Sequence, residues 1–362
     1  MSVFGLMHGM HGMHGMHGMH GMHGMHGMHG MSGYDALPTG ALAGLQSSTE
    51  AIIYSTGVAP LPDTGFQNLT RGAGANMKRW SPDIRALLLQ SAVMRHLDWA
   101  ADDDVNLFAV KWDDTAIWSV NPPSDATLAV QCGLVRNYAD QRADRANEIL
   151  SQLGAFSPYF AIVLGLTEGR NPKTFELLDA VQGIAGLATM MPKHFLACRR
   201  PAEFDARVMP FLATPAHGSF PSGHATQAFA MARVLGALVA VEPQHFGDKA
   251  TRIDLIYRQA HRIAANRTVA GVHYPMDSQA GARLGLQLGR IFCAMMGAGG
   301  TVQDGDTLYD PNTTPAADFL YPDVTALRQQ SGTAIPITPN PILNWLWAQA
   351  AAEFTLTTPA VV

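Results

Sequence analysis

Apolar side chains recur at helical spacing along most of the chain after about residue 80. This pattern predicts helices at 82–100, 126–153, 174–199, 223–241, 248–265, 276–296 and 341–354. Alternation with a period of two is confined to 106–111 and 116–120, and the Asp113-Asp114 pair between them predicts a small hairpin. Residues 299–340 are rich in Gly, Pro, Thr and Asp, and we expect them to run over the surface or to contact another subunit. The sequence therefore predicts an all-α helical bundle with at most minor β-hairpins.

The N-terminal region differs from the rest because residues 7–30 repeat Met-His-Gly. Glycine at every third position prevents a packed core, whereas the imidazoles and thioethers suit soft or borderline metals such as copper or nickel. Two interpretations stay open: a repeat expansion without catalytic duty, or a metal-binding or assembly segment. We expect residues 1–33 to form a disordered tail and residues 34–362 to form a single helical catalytic domain, with its motif core at 174–297.

Composition and charge exclude several classes of protein. Hydrophobic residues make up 47% of the chain and charged residues 15%, which leaves enough apolar material for a large core or for the interface of a homo-oligomer. A net charge of -5 argues against a nucleic-acid partner. Cys132, Cys198 and Cys293 form no CxxC pair, so neither a zinc site nor a disulfide framework is indicated. No apolar run approaches about 18 residues and no signal peptide is apparent, which predicts a cytoplasmic protein without membrane insertion.

Candidate chemistry begins with a basic pair beside a proline. Lys193 and Arg200 are seven positions apart, or about two helical turns, so that on one helix both side chains would leave the same face. Pro201 would then end that helix. This spacing lets two cations converge on one anion.

The second segment is Pro221-Ser222-Gly223-His224, which precedes a long apolar run. Ser222 is a candidate N-cap, and Gly223 would expose backbone N–H groups where the helix dipole favours an anion. His224 in the first turn would reach the same anion as a proton donor.

The third segment runs from Asn266 to Asp277. The Arg267 guanidinium offers a planar fork of donors that suits a tetrahedral oxyanion. Asp277 lies four positions after His273, close enough to accept a hydrogen bond from one ring nitrogen and so to fix the tautomer. The other ring nitrogen would then face the anion, as a nucleophile or as an apical ligand.

Together, Lys-x6-Arg-Pro, Pro-Ser-Gly-His and Arg-x5-His-x3-Asp resemble the three-part motif of the type 2 phosphatidic acid phosphatase and vanadium haloperoxidase superfamily. One departure is Asn266, where the family usually has Ser. The resemblance implies an all-helical fold with His273 as the axial group at a phosphate or vanadate. It also implies that five residues hold the equatorial oxygens: Lys193, Arg200, Ser222, Gly223 and Arg267.

The two branches of the superfamily would use this pocket differently. In a phosphatase, His273 would attack the phosphorus of a small phosphoester without a cofactor, and His224 would protonate the leaving oxygen. In a haloperoxidase, His273 would be the ligand of the metal in bound vanadate, and the substrates would be hydrogen peroxide and a halide, with bromide favoured. The sequence does not decide which of Asp125, Asp140 and Asp144 is the acidic partner of His224.

Two features favour the haloperoxidase branch as the first prediction. Long helical sequence precedes Lys193, as in the soluble haloperoxidases, and His217 lies seven positions before His224, as in soluble bromoperoxidases, which makes it a candidate proton partner. Met190 argues the other way, because haloperoxidases tend to carry Trp or Arg there. The phosphatase therefore stays as the alternative, with a metal-binding or assembly protein as the third hypothesis.

Overall fold

The computed structural model describes residues 69–102, 106–241, 246–299, 301–304 and 308–355, together with residue 104 and parts of 44–52. The Met-His-Gly tract lies outside these residues, so the two interpretations of it stay predictions.

Helices dominate the described residues, which agrees with the predicted all-α class. Numbered in chain order, they are α1 (Pro82–Met94), α2 (Asp125–Asn137), α3 (Arg142–Ser151), α4 (Ser157–Leu164), α5 (Pro172–Ala188), α6 (Met190–Leu196), α7 (Pro201–Phe204), α8 (Gly223–Val241), α9 (Lys249–Val269), α10 (Pro275–Met295), α11 (Tyr321–Leu327) and α12 (Pro341–Thr355). Short 3-10 turns occupy Gly74–Arg79, Ala139–Gln141 and Ala206–Val208.

Helix α8 lies at the centre of the bundle and packs on α10, α9 and α5. It is apolar on nearly all sides, which is the pattern of a helix that is surrounded by others. On α10, the glycines Gly281, Gly285 and Gly289 face α8 so closely that a Cβ at Gly285 would overlap the Thr226 carbonyl oxygen. The two backbones therefore approach closely, and this contact holds the start of α8 against the start of α10.

A small sheet covers one side of the bundle and is larger than the predicted hairpin. Strands β1 (Leu97–Asp102), β2 (Leu107–Trp112) and β3 (Thr115–Val120) are antiparallel, and β5 (Leu308–Tyr309) joins β3 in parallel. The sheet contacts α10. The Trp118 indole of β3 donates a hydrogen bond at 3.1 Å to the Ala280 carbonyl of α10. A second pair consists of β4 (Val302–Gln303) and β6 (Ala334–Ile335).

Three predicted helices were wrong in extent. Residues 97–100 form β1 rather than the end of a helix, because their backbone pairs with β2. The predicted helix 126–153 is two helices, broken where the Tyr138 hydroxyl donates to Asp318 at 2.6 Å. The predicted helix 174–199 is also two, and it ends at Ala197, whose φ of 43° is left-handed. Helices α4, α7 and α11 were not predicted.

Residues 299–340 do more than run over the surface. The apolar side chains at five positions in this stretch are buried against the helices: Val302, Tyr309, Phe319, Val324 and Ile335. The segment is thus part of the folded unit as far as the structure describes it.

By length and composition, α8 is one helix that could cross a membrane. However, 78% of its apolar window is buried inside the fold, as expected of a core helix. The cytoplasmic location stays a prediction.

Candidate active site

The three motif segments meet around one cavity of about 270 Å³. The residues of the motifs that line it are Lys193, Arg200, His217, Gly223, His224, Arg267 and His273. Ser222 and Asp277 are fully buried immediately behind that lining. All nine candidate residues are therefore brought to one place.

Lys193 and Arg200 converge, but not through one helical face as the sequence predicted. Lys193 lies in α6, whereas Arg200 lies beyond the helix end in an extended conformation, as the N-cap of α7. The Lys193 ammonium donates to the carbonyl oxygens of Gly218 and Ser219, both at 2.9 Å. The left-handed turn at Ala197 is what redirects the chain so that both cations reach the cavity.

His273 is oriented by a buried carboxylate. Asp277 Oδ2 lies 2.8 Å from His273 Nδ1, and it also accepts hydrogen bonds from the Ser219 hydroxyl and, at 3.1 Å, from the Tyr274 N–H. On the opposite side of the ring, Arg200 Nη1 is 3.0 Å from His273 Nε2. Because a guanidinium can only donate, Nε2 must be the unprotonated nitrogen and Nδ1 must carry the proton. His273 and Arg200 both line the cavity, so the lone pair on Nε2 lies at the cavity wall, where it accepts from Arg200.

Arg200 is held by several acceptors at once. It donates to the Val272 carbonyl at 2.7 Å and to the His217 carbonyl at 3.0 Å. Its Nη2 is 3.1 Å from His217 Nδ1, and the Gly218 carbonyl oxygen lies 3.3 Å from the same ring nitrogen. His217 therefore contacts the cation that contacts His273.

Arg267 carries unused hydrogen-bond donors. Its Nη2 donates to the Ile149 carbonyl at 3.0 Å and to Gln152 Oε1 at 3.1 Å. Its Nε and Nη1 are buried and have no hydrogen-bond partner among the described residues. Buried unpaired donors are costly, and an oxyanion in the adjoining cavity would satisfy them.

The start of α8 supplies the third side of the site. Ser222 Oγ accepts from the Ala225 N–H at 3.3 Å, which confirms Ser222 as the N-cap. Gly223 and His224 follow as the first helical residues, and their backbone N–H groups have no partner within the helix. This end of the helix favours negative charge.

The ring of His224 is held by a main-chain carbonyl. Its Nε2 is 3.1 Å from the carbonyl oxygen of Gln152, and the ring packs on Phe156 with 5.2 Å between centroids. A carbonyl can only accept, so Nε2 carries a proton. None of the three aspartates considered from the sequence is this partner; Asp125, for example, pairs with Arg199 at 2.6 Å.

Positive charge accumulates at the cavity and shifts the pKa values of its groups. No carboxylate lines it in the part of the chain that the structure describes, whereas three cations do. Burial lowers the pKa of both Arg200 and Arg267 to about 10, which leaves them charged, and burial together with Arg200 lowers the pKa of Lys193.

Three histidines of the site titrate below their usual range. Burial first, and then Arg267, lowers the pKa of His224, while burial and Arg200 lower that of His273. Burial and Lys193 lower the pKa of His217 to about 4. Burial raises the pKa of Asp277 to about 6, against the hydrogen bond from Ser219 that lowers it. With these lowered pKa values, the three imidazoles are neutral near pH 7.

Sequence reasoning missed two polar residues of the site, Ser219 and Gln152. Ser219 stands three residues before Ser222, and its proximity to the motif was a usable signal. Gln152 belongs to no motif, and its contacts span more than a hundred positions of sequence. Asn266, the departure from the family pattern, donates to Gln152 Oε1 at 3.0 Å.

Residues 178–299 match the model of the PAP2 superfamily. This segment holds all nine candidate residues of the cavity and Ser219, but not Gln152. Residues 178–299 form a PAP2 superfamily domain. It extends from the middle of α5 to beyond the end of α10 and makes up about a third of the chain.

Among solved structures, the chain is similar to the "first transmembrane PAP2 type phosphatidylglycerolphosphate phosphatase from Bacillus subtilis". The two are 22% identical, with a TM-score of 0.34 over 57% of this chain and 90% of that chain. No curated protein matches the chain. The PAP2 description supports the phosphatase alternative better than the haloperoxidase prediction.

Proposed function

We propose that this chain is a PAP2-type phosphatase that hydrolyses small phosphomonoesters through a phosphohistidine at His273. The observation that carries the proposal is the unprotonated Nε2 of His273, which faces a cavity beside the unpaired Nε and Nη1 of Arg267. A nucleophile next to unsatisfied oxyanion donors is the arrangement that phosphoryl transfer requires.

Binding would begin with the phosphate oxygens. Arg267 would donate through its two unpaired nitrogens, and the N-terminus of α8 through the N–H groups of Gly223 and His224. Arg200 would turn from His273 Nε2 to a phosphate oxygen, which frees the lone pair for attack. Lys193 would add its charge from the side of Gly218. These cations offset the two negative charges of a phosphomonoester and the charge that spreads over its equatorial oxygens.

The first chemical step would form the bond from His273 Nε2 to phosphorus and break the bond from phosphorus to the ester oxygen. Asp277 would stabilise the positive charge that develops on the ring through Nδ1. His224, protonated when the dianion is bound, would give its Nδ1 proton to the leaving alcohol, because Nε2 donates to Gln152. Water would then attack phosphorus and break the bond from phosphorus to His273 Nε2, while His224 takes a proton from the water.

One apolar part of the cavity wall suits an apolar leaving group. It consists mainly of the side chains of Leu150, Leu153, Phe211, Leu212 and Pro215. A compact aryl or alkyl phosphate would place its phosphate against Arg267 and its organic part against this wall. We propose a water-soluble substrate of this kind, in the cytoplasm.

A haloperoxidase is the second candidate, and the contact between His217 and Arg200 favours it. The same donors fit vanadate, which has the shape of the phosphoryl transition state, and His273 Nε2 would be its protein ligand. Bound vanadate would activate peroxide for halide oxidation. Among the described residues, no group of His, Cys, Asp and Glu is arranged to hold a metal ion by itself.

One experiment separates these functions. Purified protein is assayed for hydrolysis of nitrophenyl phosphate without vanadate, and for bromination of a phenol with orthovanadate, bromide and peroxide. We expect hydrolysis, and we expect His273→Ala to lower it by more than about 1000-fold. His194→Ala is the matched control, because His194 is an exposed histidine next to Lys193 that does not line the cavity. Bromination without hydrolysis would overturn the phosphatase proposal.

The Met-His-Gly tract is tested by its deletion. Removal of residues 7–30 should leave hydrolysis unchanged if the site described above is the functional one. Loss of copper or nickel binding on the same deletion would support a separate metal-binding role for the tract, and retention of binding would contradict it.

A further inference from the structure

We propose that Gln152 is a positioning residue that holds Arg267 and His224 in place for the reaction. The inference rests on the proposed function, because it assigns Gln152 a role toward the oxyanion-binding cation and the general acid. Gln152 follows the end of α3 and is 0% exposed. It does not line the cavity but lies behind it.

The main chain of Gln152 contacts the general acid. Its carbonyl oxygen is the acceptor 3.1 Å from His224 Nε2, which leaves Nδ1 for proton transfer. The acceptor is neutral, so it orients the ring without drawing the proton onto it permanently. A neutral ring in the empty site agrees with the pKa of His224, which burial, followed by Arg267, lowers.

The side chain of Gln152 contacts the oxyanion-binding cation. Oε1 accepts from Arg267 Nη2 at 3.1 Å and from Asn266 Nδ2 at 3.0 Å, while Nε2 donates to Glu148 Oε1 at 3.2 Å. Because Arg267 can only donate and an ionised Glu148 can only accept, the amide has one favourable orientation. The Gln152 amide holds Nη2 of Arg267 and leaves Nε and Nη1 of Arg267 for the anion.

A glutamine suits this position better than a glutamate. An amide oxygen holds Arg267 without cancelling its charge, so the full positive charge is available to the phosphate. The Glu148 carboxylate contacts the Gln152 amide rather than Arg267, and Arg262 pairs with it at 2.7 Å. A carboxylate at 152 would compete with the substrate for the same guanidinium.

The first test is Gln152→Met, which keeps the size of the side chain but removes the acceptor. We expect the Kd for inorganic phosphate, measured by calorimetry, and the KM for nitrophenyl phosphate to rise about tenfold to a hundredfold, because a hydrogen bond to a charged group is lost. The matched control is Gln287→Met. Gln287 is also buried, and its Oε1 also accepts from a buried arginine, Arg290, at 3.0 Å, but far from the cavity.

The second test keeps the acceptor and changes its charge. Gln152→Glu should weaken phosphate binding at least tenfold, because the new carboxylate neutralises Arg267. The new carboxylate would also repel Glu148, so we add the double variant Glu148→Gln with Gln152→Glu. This double variant removes the repulsion and has the same net charge as the wild type. We expect phosphate affinity to stay low in this double variant, since the charge still lies beside Arg267. A purely structural role would let the double variant recover.

The outcomes separate this inference from the proposed function. If the wild type hydrolyses nitrophenyl phosphate and Gln152→Met binds phosphate as tightly as Gln287→Met, the Gln152 proposal is overturned and the phosphatase stands. If the wild type hydrolyses nothing, the phosphatase fails, and phosphate affinity in the same variants still decides the role of Gln152 at the anion. If Gln152→Met does not fold, the two glutamate variants decide it.

Discussion

Arg200 Nη1 lies 3.0 Å from His273 Nε2, so a cation of the oxyanion site caps the atom that would attack phosphorus. Both side chains are buried, with Arg200 only 1% exposed. The contact holds the imidazole in the tautomer that attack needs, and it protects the lone pair while no anion is present. An entering phosphate would compete for the guanidinium, and the release of Nε2 would thus be coupled to substrate binding.

Asp277→Asn should lower kcat at least tenfold and leave KM nearly unchanged. Asp277 stabilises positive charge on His273 during attack, but it does not line the cavity and does not touch the substrate. Steady-state kinetics with nitrophenyl phosphate measure both constants.

Asp323→Asn serves as the control for that substitution. Asp323 accepts from the Leu320 N–H at 2.7 Å at the start of α11, as Asp277 accepts from the Tyr274 N–H at the start of α10. Asp323 does not line the cavity, so the kcat of the Asp323→Asn variant should equal that of the wild type. An equal loss of kcat in both variants would mean that Asp277 acts only as a helix cap.

His224→Gln should separate substrates by their leaving groups. Phenyl phosphate needs a proton on its leaving oxygen, whereas nitrophenyl phosphate has a stabilised anion to expel. We expect kcat to fall about 100-fold or more for phenyl phosphate and much less for nitrophenyl phosphate. Phe156→Leu, which changes the ring against which His224 packs, should give a smaller effect of the same kind. Equal losses for both substrates in His224→Gln would contradict its assignment as the general acid.

The convergence of the site was accessible from sequence because each motif places its groups at a helix terminus. Ser222 as an N-cap and the contact of Asp277 with His273 follow from spacing alone, and the structure shows both. The route by which Arg200 reaches the cavity was not accessible. It depends on Ala197, which adopts a left-handed conformation that is unusual for alanine.

Contacts that are distant in sequence explain the other differences. Residues 97–100 have apolar positions that fit a helix, but pairing with β2 satisfies their backbone groups as a strand. Gln152 is an ordinary polar residue after a helix until α9 brings Asn266 and Arg267 beside it. Neither local spacing nor composition encodes such pairings, so the sequence alone does not indicate Gln152 as the acceptor for His224.

The stability of the empty protein should fall as the pH decreases below about 6.5. His217, His224 and His273 have lowered pKa values in the fold, so below 6.5 the unfolded chain binds more protons than the folded one. The loss should continue to about pH 4, the pKa of His217. The raised pKa values of Asp277, about 6, and of Asp179 act in the opposite direction. They are two groups against the three histidines of the site and His261, whose pKa burial also lowers.

Thermal unfolding between pH 7 and pH 4, with and without inorganic phosphate, measures this effect. We expect phosphate to raise the Tm and to reduce its dependence on pH, because the anion offsets the cations that, in addition to burial, lower the pKa values of these imidazoles. Potassium chloride at equal ionic strength is the control for general screening. A Tm that phosphate does not change would argue against an anion site in this cavity.

Gly285→Ala should destabilise the fold and impair the site together. A Cβ at this position would overlap the Thr226 carbonyl oxygen, so α10 and α8 would have to separate, at a cost of about 1–3 kcal/mol in the free energy of unfolding. Thr226 is one turn after Ser222, so the separation would also shift the N-terminus of α8 and raise the Kd for phosphate.

The matched control for this glycine is Gly133→Ala in α2, where a Cβ would meet nothing within 4 Å. There the alanine should stabilise the protein by about 0.5–1 kcal/mol through helix propensity, with no change in phosphate affinity. Urea denaturation gives both free energies, and calorimetry gives both affinities. If the two alanines changed stability in the same direction, the close backbone approach of α8 and α10 would not be what holds the anion-binding helix end in position.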